Sequence, residues 1–220
     1  RTTLDAAGLT SVSLIGPEDG GYYNGQGWNW STAFLGGTGF PFLTDTLYDR
    51  AISVLASHSY DWSPYTTTAH LNDWINGCDA SGKDRCQTEF CYIENSTYPH
   101  VIGTVRRLIS DFAYLKNNYW FTWIVSDASD VPDALCFGNG SSSLTKKPAY
   151  YVLKKIFSSI PVGSKVRRMT TTDNGLVTAN ANNMDMVAFI SETSMTVIIV
   201  NPTVTARTTN INSLFGTTAK

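Results

Sequence analysis

The stretch "HVIGTVRRLISDFAYLKNNYWFTWIV", His100–Val125, decides how this chain folds. Val101, Val105, Leu108, Ile109, Phe112 and Leu115 recur at the spacing that gathers them on one face of a helix, predicted over His100–Asn117. Tyr119–Val125 is then a continuous apolar run of strand length. A strand covered on one side alternates apolar and polar residues, whereas an unbroken run needs cover on both faces. A helix leading into such a strand is part of a crossover unit, and crossover units build parallel sheets.

The pattern repeats outward from this unit. Upstream lie a strand over Cys86–Cys91 and a helix over Thr66–Ile75 that Gly77 should stop. Before them come a strand over Ile52–His58, a helical pattern around Leu43–Ala51 and a strand over Ser11–Gly16. Residues 2–9 read as the last turns of a helix ending near Gly8. Downstream, Pro148–Ile160 is helical, with proline in its first turn. After Pro161-Val162-Gly163 the period changes. Short strands are expected over Lys165–Thr171, Gly175–Ala181, Met186–Ser191, Met195–Asn201 and Thr205–Asn210. The chain therefore divides into an α/β region, 1–160, and an all-β region, 161–220, read as part of a sandwich. A closed (β/α)8 barrel needs eight strand–helix units, typically in about 250 residues. Four units make either an open sheet or the second half of a barrel, strands five to eight. The helix remnant at 2–9 favours the half-barrel.

Composition narrows the function. Sixteen Lys plus Arg face 18 Asp plus Glu, so no strong field points to nucleic acid or an anionic membrane surface. No apolar run approaches the roughly 20 residues that span a bilayer. Sequons stand at Asn29, Asn95 and Asn139, and Asn201-Pro202-Thr203 is excluded by its proline. With the four cysteines Cys78, Cys86, Cys91 and Cys136, they suggest a secreted glycoprotein with disulfides, in any of three pairings. No C-x-x-C occurs, and His58, His70 and His100 lack ligand spacing, so no metal is expected. Gly36-Gly37-Thr38-Gly39 lacks the Lys-Ser/Thr of a phosphate-binding loop, and no G-x-S-x-G elbow is present.

In parallel α/β folds the chemistry collects at the carboxyl ends of the strands. The successive ends here offer Glu18 and Asp19; His58, Tyr60 and Asp61; Glu89; and Trp123, Ser126 and Asp127. Period two puts Gln87, Glu89 and Cys91 on one face of their strand. A glutamate there is costly unless it is hydrogen-bonded, ion-paired or open to solvent. A helix cap or a partner for arginine would also explain it.

The ordered blocks "SHSYDWSP" (57–64), "CQTEFC" (86–91), "YWFTW" (119–123), "PAYYVLKKIFSSIPVGSKVRR" (148–168) and "VAFISETSMTVIIVNP" (187–202) resemble glycoside hydrolase family 30. In that family a strand ending His-x-Tyr precedes one ending Ser/Thr-Glu, and a helix then leads into a β-sandwich. The resemblance implies a retaining β-glycosidase without cofactor or metal, with Glu89 as the nucleophile on the seventh barrel strand. It implies Tyr60 or His58 as partners of that carboxylate or of the sugar, Trp123 as a sugar platform, and Glu18 and Asp19 as substrate contacts. The family's acid/base lies in an Asn-Glu pair on the fourth strand, and no Asn-Glu dipeptide occurs here. That residue is therefore expected from an N-terminal half of the same protein. Family substrates include glucosylceramide, β-1,6-glucan, β-1,6-galactan and glucuronoxylan. The aromatic stretch "GGYYNGQGWNW" (20–30) suggests an open cleft for a branched polysaccharide. The alternative is a non-catalytic carbohydrate-binding protein that lacks the acid.

Overall fold

The computed structural model describes residues 1–19, 51–60, 68–91, 98–131, 134–138, 144–169 and 184–206. β1 (Ile15–Asp19), β2 (Val54–Ser57), β3 (Asp84–Gln87) and β4 (Tyr119–Trp120) form one parallel sheet in that order. Helix α2 (Thr68–Ser81) crosses from β2 to β3, and α3 (Tyr98–Ala113) from β3 to β4. Every residue of β2 is buried, as an apolar strand covered on both faces requires. The short helix α1 (Thr2–Ala6) precedes β1 and ends at Gly8, whose φ of +76° suits a residue without Cβ. No helix among the described residues is long and apolar enough to cross a membrane.

After β4 the chain leaves this sheet. β5 (Ile124–Asp127) pairs parallel with β6 (Ala134–Phe137), which pairs antiparallel with β7 (Thr145–Lys146). Helix α4 (Pro148–Ser158) follows, and then β8 (Lys165–Arg168), β9 (Asp185–Ile190) and β10 (Met195–Val200) form an antiparallel sheet ordered β10-β9-β8. The fold is thus mixed α/β, with one parallel, one mixed and one antiparallel sheet among the described residues.

One core ties these layers together. Leu108, Ile109 and Phe112 of α3 are buried with Phe90 and Trp120 on one side and with Val187, Phe189 and Ile198 of the antiparallel sheet on the other. Phe112 meets Phe189 edge-on, with ring centroids 5.3 Å apart. At the same joint Arg106 of α3 donates to the carboxylate of Asp185 on β9. Asp185 is 1 % exposed, and burial raises its carboxyl above the ordinary range although the Arg106 charge pulls it down.

Several sequence-based boundaries move. The first strand runs over Ile15–Asp19 rather than 11–16, so Glu18 and Asp19 lie on it and not after it. α2 continues through Gly77 to Ser81 and stops before Gly82, at φ +65°. One glycine costs a helix only about 1 kcal/mol, and Trp74 and Cys78, both fully buried, hold the helix on either side of it. α3 ends at Ala113 because the chain turns at Lys116, φ +58°, leaving Leu115 to pack with Leu55, Trp74 and Cys78. β3 ends at Gln87, two residues before Glu89, and the run Tyr119–Val125 is split between two sheets.

The cysteines also need correction. All four are free thiols. Cys78 packs beside Trp74 and Leu55, Cys86 beside Val54 and Ala56, each as a small apolar group in its own part of the core. The helix predicted around 43–51, the strand over 175–181, most of that over 205–210, the stretch 20–30, Asp61 and the three sequons lie outside the described residues.

Candidate active site

The carboxyl ends of β1, β2 and β3 bring their side chains together at His58. β1 carries an irregularity between Pro17 and Asp19 in its pairing with β2, and the residue inside it, Glu18, has φ +61°. That turn brings Glu18 Oε1 to 3.6 Å from His58 Nε2. From the other side, Glu89 Oε2 lies 3.6 Å from the same nitrogen. These oxygens are therefore no farther apart than twice that distance. Both contacts are longer than a well-formed hydrogen bond, so the imidazole is a loose bridge whose proton can favour either carboxylate.

Glu89 sits past the end of β3 but is not adrift. Thr88 N donates to Ser57 O at 3.3 Å and Ser59 N to Glu89 O at 3.4 Å, which continues the β2–β3 pairing without strand geometry. On the other side Trp123 N donates to Phe90 O at 3.0 Å. The Glu89 side chain is 16 % exposed, sheltered yet reachable. Phe90 points the other way, into the core beneath α3.

Tyr60 completes the cluster. Its hydroxyl is 3.4 Å from Cys91 Sγ, and its ring stands edge-on to His58 at 5.8 Å. Burial first, then hydrogen bonding to Cys91 and Glu89, push the phenol far above its usual range. A phenol raised in this way stays protonated at neutral pH and can donate to the Glu89 carboxylate.

Of the residues expected at the site, the structure brings together Glu18, His58, Tyr60 and Glu89. The Trp123 backbone donates to Phe90 O at 3.0 Å, and the residue is 52 % exposed. Asp19 pairs through its backbone with Ser57, and its side chain lies outside the described residues. Asp127 serves the rim: Ser129 donates to its carboxylate through the amide at 2.9 Å and the hydroxyl at 3.0 Å, which holds its pKa low. Cys91 was read only as a disulfide candidate and proves to be a partner of Tyr60.

Sequence reasoning also passed over Asp111. It belongs to the apolar stripe of α3, three residues after Leu108 and directly before Phe112, and it is fully buried. A carboxylate on a core stripe was the available signal. Its Oδ2 accepts from Trp120 Nε1 at 2.8 Å. Burial pushes the Asp111 carboxyl up to about 7, against the opposing charge of Arg107 and the contacts with Trp120 and Ser59. Between an unfolded value of about 4 and that folded value, the native chain keeps a proton that the unfolded chain has lost. Stability contributed at low pH is therefore lost as pH rises through that window and is level above it. Over about three pH units the loss is on the order of 4 kcal/mol. Urea melts of Asp111→Asn should show a shallower decline between pH 4 and 7 than the parent; parallel declines would contradict the assignment.

Known structures share the fold. The chain superposes on the subfamily 8 xylanase Xyn30A of Clostridium acetobutylicum with a TM-score of 0.63 at 16 % identity, over 89 % of this chain and 42 % of that one. In fold it is similar to glycoside hydrolase family 30. A family 30 endoxylanase of Clostridium papyrosolvens C71 matches with a TM-score of 0.60 at 19 % identity, over 89 % of this chain and 42 % of that enzyme. Xylanase C of Talaromyces cellulolyticus matches with a TM-score of 0.59 at 13 % identity, over 91 % and 41 %. The chain thus spans less than half the length of these family 30 structures. No family model matches the sequence, and no curated protein matches it.

Proposed function

We propose that this chain carries the nucleophile of a retaining β-glycosidase that cleaves a branched β-glycan internally. The observation that carries this is Glu89: a sheltered carboxylate at a parallel-strand end, with Tyr60 as a fixed donor and His58 between it and Glu18. A retaining enzyme needs one carboxylate ionised to attack the anomeric carbon and another protonated to release the aglycone. The surroundings of Glu89 suit the first role. Its oxygen forms the ester bond as the glycosidic bond breaks, the leaving oxygen takes a proton from the acid, and water then hydrolyses the ester. Trp123 offers an apolar face to a pyranose ring.

In this reading residues 1–160 are strands five to eight of a barrel and residues 161–220 part of an accessory β-sandwich. The acid/base comes from an N-terminal half of the same protein, and the protein is secreted. One surface favours that larger assembly. Along the extended segment of β4 and β5, Tyr119, Phe121 and Val125 are exposed apolar residues, Val125 at 62 %. An open groove of about 1580 Å³ runs beside β4, lined by Tyr119, Phe121, Phe157 and Val162 among others. Exposed apolar surface of that extent on an unpaired sheet edge suits further polypeptide packed there. Similarity in fold to xylanases supports trying xylan first, beside β-1,6-glucan and β-1,6-galactan.

The test is covalent trapping. The intact native protein, treated with activated 2-fluoro xylosides, glucosides and galactosides and then deglycosylated, should gain one fluoroglycosyl group on the tryptic peptide Cys86–Arg106. The sugar that labels identifies the substrate class. Binding of xylan without labelling by any of these reagents would instead establish a non-catalytic carbohydrate-binding protein.

A further inference from the structure

Beneath the site, on the far side of the strand ends, lies a buried polar cluster with no part in the chemistry above. Asp111 and Arg107 are one helical turn apart on α3. Asp111 Oδ2 accepts from Trp120 Nε1 of β4 at 2.8 Å. The Ser59 hydroxyl, after β2, lies against the same carboxylate and favours its charged form. Neither Asp111 Oδ1 nor Ser59 Oγ completes a full hydrogen bond within the described residues. The Arg107 guanidinium stands 5.2 Å over the ring of Phe90, the residue after Glu89. Two of these partners touch the site's own chain segments: Ser59 directly, and Arg107 through the Phe90 ring. Ser59 lies between His58 and Tyr60, and its amide donates to Glu89 O at 3.4 Å.

We propose that Asp111 is a positioning residue: from α3 it locks the ends of β2 and β4 in register with Glu89, acting through Ser59 and Trp120. The proposal rests on the reading of Glu89 as nucleophile. Three observations support it beyond a packing role. A fully buried carboxylate is an expensive way to fill space. Its contacts reach two different chain segments where regular pairing has ended, Ser59 just after β2 and Trp120 at the end of β4. And the backbone bonds that replace regular pairing, Ser59 to Glu89 and Trp123 to Phe90, flank those contacts.

Two measurements on the intact native protein test this. In the first, amide exchange of Ser59 and Trp123 is followed by NMR in Asp111→Ala and Asp111→Asn. Alanine should lose protection at both amides while β9 and β10 keep theirs; asparagine, which retains an acceptor for Trp120, should keep all of it. In the second, the rate of 2-fluoroglycoside trapping is compared per folded molecule. Misplacing a reacting group by about 1 Å costs roughly 100-fold, so Asp111→Ala should trap about that much more slowly, with sugar affinity changed less than about threefold and asparagine restoring the rate. Should Asp111→Ala fail to fold, Ser59→Ala makes the smaller change and should slow trapping about tenfold, one step of about 1.4 kcal/mol. Wild-type trapping at Glu89 with an unaltered rate in the alanine variant overturns the positioning role. Absence of trapping in the wild type overturns the nucleophile reading alone, and the exchange data still decide whether Asp111 holds the strand ends.

Discussion

Glu89→Gly should reduce turnover by on the order of 10⁴- to 10⁶-fold, the scale seen when a covalent nucleophile is removed. KM should change little, because the carboxylate acts chiefly on the reacting centre. Azide added to this variant should restore cleavage of substrates with good leaving groups and yield an α-glycosyl azide. The anion would enter the space that the side chain has vacated and attack the same face of the sugar. A β-glycosyl azide would place Glu89 on the opposite face, as the acid/base, and equal turnover in variant and parent would remove it from catalysis. Glu89→Gln gives a cleaner shape control: it keeps an acceptor for the Tyr60 hydroxyl while lacking the charge.

The second large effect is structural. Asp185 is buried against Arg106, which itself is only 16 % exposed, so Asp185→Ala deletes the carboxylate half of a buried ion pair at the joint between α3 and the antiparallel sheet. Removing one partner of a buried pair costs about 3–5 kcal/mol, which for a chain of this size lowers Tm by roughly 10 °C. The paired replacement Arg106→Met with Asp185→Leu removes both desolvation costs and should recover most of that loss. Calorimetry of both variants decides the matter: a double variant as unstable as the single one would mean that the pair supplies net attraction and not mutual rescue.

Much of the architecture was legible because it depends on burial. The stripe on α3 and the apolar runs of β2 and β10 announce buried faces whatever their partners. What lay hidden was pairing. "YWFTWIV" is apolar throughout, so nothing in it marks the point where Trp120 closes one sheet and Ile124 opens another; that break follows from the departure of β3 after Gln87. The cysteines misled for a related reason, since composition registers a thiol but not the apolar pocket that Cys78 and Cys86 each fill. Glu89, His58 and Tyr60 could be read because polar residues ending apolar strands are conspicuous. Asp111 sits among leucine, isoleucine and phenylalanine on a helix, where one carboxylate is easily taken for the start of the polar face.

Glu18 has a consequence for anyone redesigning this chain. A left-handed backbone at a residue with a Cβ costs about 1 kcal/mol, and glycine would relieve it. A sequence optimised for backbone comfort would therefore replace Glu18 and gain a slightly firmer fold. It would also delete one of the two carboxylates that share His58. Position 18 is where improvement for its own sake erases information: the native glutamate makes sense only when charge beside the imidazole is counted as part of what the fold is for.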